Sequence, residues 1–191
     1  MRGILLLCLA TLLYGCATLK DEVASVNTVE TPAELKSWRM DGRIGVQARD
    51  TAWQANLNWD HEAAQDRLRI SGPFSQGVVS IIVQKDLIYL NEGNGVTELS
   101  RDPDAMLRKR LGFTVPLSSL RYWILGAPDP AMPSIPVAGA AGAPAGFRQA
   151  GWRITPDQLA SIEGWMLPQK LRADGAGVKL KILADNWEIR N

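Results

Sequence analysis

The sequence predicts a mainly β domain, an antiparallel meander with one apolar face that something must cover. Three observations carry this. Trp53, Ala55, Leu57 and Trp59 alternate with Gln54, Asn56, Asn58 and Asp60, and Val178 to Ile182 alternates in the same way. That is the period of a strand with one buried face. Further short apolar runs follow with polar turns between them, as in a meander. The clearest helix-period stripes lie between Asp102 and Gly126. A sheet of this kind covers its apolar face by closing into a barrel or by receiving helices.

The chain opens on a different signal. Arg2 is a short positive n-region, and Ile4 to Leu13 form an apolar run too short for a finished transmembrane helix. Leu13-Tyr14-Gly15-Cys16 then places a small residue directly before a cysteine. Charge, length and ending are those of a secretory signal peptide. The ending resembles a bacterial lipobox, which implies a diacylglycerol thioether on Cys16, cleavage before it and N-acylation of the new terminus. An ordinary signal peptide with a cysteine near its end is the other possibility. Residues 1–15 are therefore read as signal and 16–30 as a lipid-anchored tether, small and polar without periodicity. Residues 31–191 are read as a single domain. Removing fifteen residues from 191 leaves 176, enough for one full-sized core.

Composition narrows the function. The formal charge of +1 falls to 0 once Arg2 is removed. A neutral domain without a basic cluster argues against nucleic acid. Cys8 lies in the discarded run and Cys16 would carry lipid, so the mature domain has no disulfide. Its stability must come from packing, to which seven tryptophans contribute heavily.

Taken in order, Thr31-Pro32-Ala33-Glu34 reads as a capped helix start running to about Trp38. Met40, Gly42, Ile44, Val46 and Ala48 then share one strand face. The Trp53–Trp59 strand follows, and Asp60 to Asp66 reads as a polar turn. Leu68 and Ile70 point inward, and Val78 to Val83 and Leu87 to Leu90 are two more strands. Asp102 caps a helix with Pro103 in its first turn, Met106, Leu107 and Leu111 as its stripe and Gly112 after it. Ser118 or Ser119 starts a second helix with Leu120, Trp123, Ile124 and Leu125 inward and Gly126 ending it. Ala127 to Gly146, rich in Pro, Gly and Ala, reads as an irregular loop. Strands resume at Phe147 to Ile154, Val178 to Ile182 and Trp187 to Ile189, with a short apolar patch near Ile162 to Leu167.

The turn Ser71-Gly72-Pro73-Phe74-Ser75-Gln76-Gly77 carries a large apolar residue at its centre. Phe74 either folds back onto the sheet or stands exposed as a contact for a partner or membrane. Catalysis finds little support. The lone His61 reads as a solvated turn residue. No nucleophile elbow, zinc helix, phosphate loop or ligand cluster is present, so no catalytic residue, metal or cofactor is expected.

Ser119-Leu120-Arg121-Tyr122-Trp123-Ile124-Leu125-Gly126-Ala127-Pro128 resembles the signature helix of the LolB family, outer-membrane lipoprotein receptors of Gram-negative bacteria. Lys179-Leu180-Lys181-Ile182 with Asp185-Asn186-Trp187 resembles that family's C-terminal strand pair. Gly42-Arg43-Ile44-Gly45-Val46, Trp59, Asp66-Arg67-Leu68-Arg69 and Gly72-Pro73-Phe74 follow in family order. The resemblance spans Trp38 to Trp187.

It implies an incomplete, strongly curved antiparallel β-barrel with helices plugging the open side around an apolar cavity. It implies a receptor, not an enzyme, that accepts lipoproteins from a LolA-like periplasmic carrier and inserts them into the outer membrane. Trp53, Leu57, Trp59, Leu120, Trp123 and Ile124 are the candidate cavity lining for acyl chains. Gly72, Pro73 and Phe74 form the membrane-insertion loop, with Phe74 where leucine is commoner in the family. Ala17 after Cys16 fits sorting to the outer membrane, at its periplasmic face and inner leaflet. A monomer is expected. A lipid-anchored structural or assembly factor with a filled core, and a periplasmic hydrolase with an unrecognised site, are the competing classes. The segment from Pro128 to Pro144 departs from the family pattern.

Overall fold

The computed structural model describes residues 31–49, 51–72, 77–139 and 144–190. The signal peptide, Cys16, the tether, Pro73 and Phe74 lie outside the described residues.

Among the described residues eleven strands form one antiparallel sheet. They are β1 (Ser37–Ala48), β2 (Thr51–Glu62), β3 (Gln65–Ser71), β4 (Val79–Gln84), β5 (Leu87–Asn91), β6 (Thr97–Ser100), β7 (Ser134–Ala138), β8 (Pro144–Gln149), β9 (Trp152–Ile162), β10 (Trp165–Gly175) and β11 (Val178–Ile189). Their order across the sheet is β6-β5-β4-β3-β2-β1-β11-β10-β9-β8-β7. First and last strands thus meet in the middle, while β6 and β7 are the free edges. The helices α1 (Pro103–Leu111) and α2 (Leu117–Trp123) are inserted between those edge strands in sequence.

The alternation read from the sequence sets the faces. Val178, Leu180 and Ile182 are buried while Lys179 and Lys181 are exposed. Met40, Ile44, Val46 and Ala48 are likewise buried on β1. The β1–β11 pairing slips between Asp41 and Gly42, where Asp185 is the extra residue. A Cβ at Gly42 would lie 2.0 Å from the Leu183 carbonyl oxygen, so this approach is open only to glycine. Such a bulge bends the strand.

Two side chains on α2 measure the curvature. Arg121 bonds to Asp66 on β3, and Trp123 bonds to Gln149 on β8. Those strands are six steps apart, roughly 29 Å across a flat sheet at about 4.8 Å per step. Neighbouring residues of one helical turn cannot bridge that span. The sheet therefore wraps around α2, as an incomplete barrel with the helix inside its opening.

Several expectations are corrected. The turn at Pro32–Glu34 is 3-10 and ends there, because Trp38 is drawn into β1 opposite His61. α2 starts at Leu117, with Pro116 before it, ahead of the predicted serines. Thr97–Ser100 adds an edge strand that its polar sequence concealed. The segment read as an irregular loop contains β7 and the start of β8. Its proline is tolerated because an edge strand has backbone groups that need no partner. The strand read as Phe147 to Ile154 is broken by the Ala150-Gly151 turn, where both φ angles are positive.

Candidate functional site

The apolar alternation of β1 to β5 faces the helices without filling the space between them. An apolar hollow of about 300 Å³ remains. Ile44 and Val46 contribute from β1, Trp53, Ala55, Leu57 and Trp59 from β2, Leu68 and Ile70 from β3, and Val79 and Ile81 from β4. Leu107 and Leu111 of α1, Leu117 and Leu120 of α2, and Phe113 and Val115 between the helices close the other side. Leu180 of β11 completes the wall.

Among the described residues the charged walls are Glu92 and Arg110, and they pair with each other at 3.6 Å. Arg110 also pairs with Glu98 on β6. These pairs tie α1 to the β5–β6 edge and leave the wall chemistry apolar. Gly72, the first residue of the predicted insertion loop, and Gly77 beyond it both line the hollow. A core shaped for stability alone would be filled.

At the junction of the helices, the Leu117 amide donates to an Asp104 Oδ1 at 3.4 Å. Burial is the main influence on that carboxyl and raises its pKa, against the lowering by the Leu117 hydrogen bond.

Four of the six candidates, Trp53, Leu57, Trp59 and Leu120, are among the residues that line this hollow. Trp123 and Ile124 are not. Trp123 is fully buried against Trp152, with ring centroids 5.9 Å apart, and its indole donates to Gln149 Oε1 at 2.7 Å. Ile124 is 1% exposed in the same core. Trp123 sits on the side of α2 facing β8 and β9, which helical spacing could not distinguish from the side facing β2. Gln149 also bonds to the backbone of Asp129 and Met132, and Ser119 donates to Asp129. This buried network fastens the chain after α2 onto β8.

His61 corrects another expectation. It lies on β2, 5% exposed, with Nδ1 2.9 Å from Asp66 Oδ1. Asp66, also buried, accepts from Trp59 Nε1 at 3.0 Å and from Arg121 Nη1 at 3.1 Å. Strand pairing explains the placement, since β2 continues through Asp60 and His61 to Glu62. Hydrophobicity alone reads these residues as a turn. Asp66 therefore joins the cavity wall at Trp59 to the inserted helix at Arg121. Among the described residues no group of His, Cys, Asp or Glu is placed to hold a metal ion.

A family model described as outer membrane lipoprotein LolB matches residues 36–187. An outer-membrane lipoprotein LolB of Thiobacillus denitrificans is 30% identical over 94% of this chain and 94% of its own length. One from Nitrosococcus oceani is 27% identical over 93% of this chain and 92% of its own. The crystal structure of a LolA superfamily protein from Nitrosomonas europaea superposes with a TM-score of 0.54 at 13% identity, covering 83% of this chain and 88% of that one. That likeness concerns the fold.

Proposed function

The chain belongs to the outer membrane lipoprotein LolB family, and from that premise we propose that it receives lipoproteins by taking their acyl chains into the apolar hollow. The observation that carries the proposal is the unfilled 300 Å³ between sheet and helices. The volume is at the lower end of the range for ligand pockets, about 300–1,000 Å³. Transfer of ten methylenes from water into such walls is worth about 8 kcal/mol. Handover from a LolA-like carrier needs no bond broken and no nucleotide. A preference of about 1.4 kcal/mol for the receiving cavity biases the exchange tenfold.

In this reading Cys16 carries the lipid that holds the domain, as a monomer, at the periplasmic face of the outer membrane. Trp53, Leu57, Trp59 and Leu120 contact the acyl chain. Phe74 dips into the inner leaflet and assists release, with Gly72 and Pro73 shaping its turn. What supports the loop assignment is family order in the sequence and the position of Gly72 and Gly77 in the cavity wall.

Native mass spectrometry with an acylated peptide tests the central claim. A complex with the peptide is expected, and its absence returns the domain to a structural role. Phe74→Glu tests the loop: substrate binding should persist while delivery to liposomes stops. Normal release by that variant removes Phe74 from the mechanism.

A further inference from the structure

β9 and β10 outrun the sheet. β8 pairs with β9 only over 152–154, and β11 pairs with β10 only over 170–175. Residues 159–162 and 165–168 therefore pair with each other alone among the described residues, as a two-stranded ribbon. Glu163 and Gly164, both at positive φ, close it in the two-residue turn that suits twisted strands.

The ribbon is apolar on both faces. Ile162 and Trp165 are paired and pack, half-buried, against the core. Leu159 and Met166 point the other way. Leu159 lies opposite Pro168 and Met166 opposite Ser161, so the two are diagonal neighbours on one face. They are 54% and 50% exposed. Single exposed apolar residues are ordinary, but adjacent ones on a projecting tip mark a contact surface.

The ribbon also stands where the chain enters the domain. β1, β11 and β10 alternate in direction, so the 163–164 turn lies at the end of the sheet where β1 begins. There the 3-10 turn at Pro32–Glu34 packs against β10. Fourteen residues, 17–30, join that turn to Cys16, a span of at most about 50 Å.

We propose that the outward face of this ribbon, Leu159 and Met166 with Trp165 beside them, rests on the bilayer that holds the lipid of Cys16. The proposal rests on the lipid anchor of the reading above. What selects the bilayer as the occupant is the anchored segment, which reaches the domain beside the ribbon. Glu163 at the turn keeps the tip among the headgroups, so the contact is shallow, as for other apolar faces that lie in the interface. Tryptophan is favoured in that layer. The pose serves reception. β3 starts at this same end and runs seven residues, about 23 Å, toward the loop after Ser71. Gly72 and Gly77, in the wall of the acyl hollow, are thereby held off the bilayer on the side a carrier approaches. Delivery through Phe74 is a second pose, within the span of residues 17–30.

The test uses the mature chain anchored through Cys16 in vesicles of phosphatidylethanolamine and phosphatidylglycerol. Met166→Cys then adds the single free thiol, and a spin label on it reports collisions with oxygen and with a water-soluble nickel complex. On vesicles, nickel collisions are expected to fall and oxygen collisions to rise. A label at Ile135→Cys, 67% exposed on the edge strand β7, is expected to stay in water. Leu159→Glu should abolish the immersion of the Met166→Cys label without lowering the melting temperature, since position 159 is exposed. A Met166→Cys label as open to nickel as the one at Ile135→Cys overturns the contact, as does immersion that survives Leu159→Glu. Protection of the label in a Cys16→Ser chain without vesicles overturns it too, in favour of the tether or a second copy as the cover. A chain that does not float with the vesicles removes the anchor and this contact together, whereas a floating chain with its label in water removes the contact alone.

Discussion

The two halves of the sheet treat the same inserted helix in opposite ways. On the side of β8 to β10, Trp123, Trp152, Ile154, Leu167 and Leu171 pack to between 0% and 4% exposure, and no strand of that group lines the apolar cavity. The Gln149–Asp129 network seals this half with buried hydrogen bonds. On the side of β1 to β5 the walls are equally apolar, yet a hollow remains. Alternation of apolar residues is common to both. The difference is what the helices place opposite. A tryptophan on α2 faces β8 and β9, whereas leucines of α1 and α2 face β2 and β3. Both halves bury large side chains, but only the half opposite the leucines keeps room.

This contrast can be broken from either side. Trp123→Ala should have the largest effect, lowering unfolding free energy by about 4 kcal/mol in urea denaturation while the folded fraction still binds acylated peptide. Loss of acyl binding without loss of stability would place Trp123 in the cavity after all. Ile70→Trp puts an indole into the hollow. It should weaken acyl binding at least tenfold, or about 1.4 kcal/mol, with little change in melting temperature. A large fall in stability with unchanged binding would mean that this half is packed like the other.

The smallest effect is expected at Asp104, at the junction of the two helices. Burial, its main influence, raises the pKa of this carboxyl in the fold. A raised folded-state pKa favours the native state below the unfolded value, and that contribution is lost as pH rises through the folded value. Asp104→Asn should therefore be slightly more stable than the parent at pH 7, with the gap closing as pH falls toward the ordinary carboxylate range. Thermal melts across that window show it. A gap that widens in acid would reverse the assignment.

Much of the fold was legible because strand alternation is local. Trp53 to Trp59 and Val178 to Ile182 announce their buried face within a few residues. The Asp102 cap and the left-handed Gly112 bracket α1 as read. The failures share a cause. His61 and Asp66 look like turn residues until β2 and β3 pair them into a buried cluster with Arg121, 55 residues beyond Asp66. β6 and β7 have weak strand composition and form because a neighbouring strand supplies the ladder. Trp123 and Ile124 were assigned to the cavity because an apolar helical stripe does not say which of two partners it meets.

Residue order alone determined that this chain makes a one-faced β meander with two inserted helices. It also determined a family resemblance that the match over 36–187 bears out. Tertiary structure decided where the hollow lies. A periodic pattern fixes the direction a side chain points, but empty volume depends on the sizes of residues brought together from distant parts of the chain.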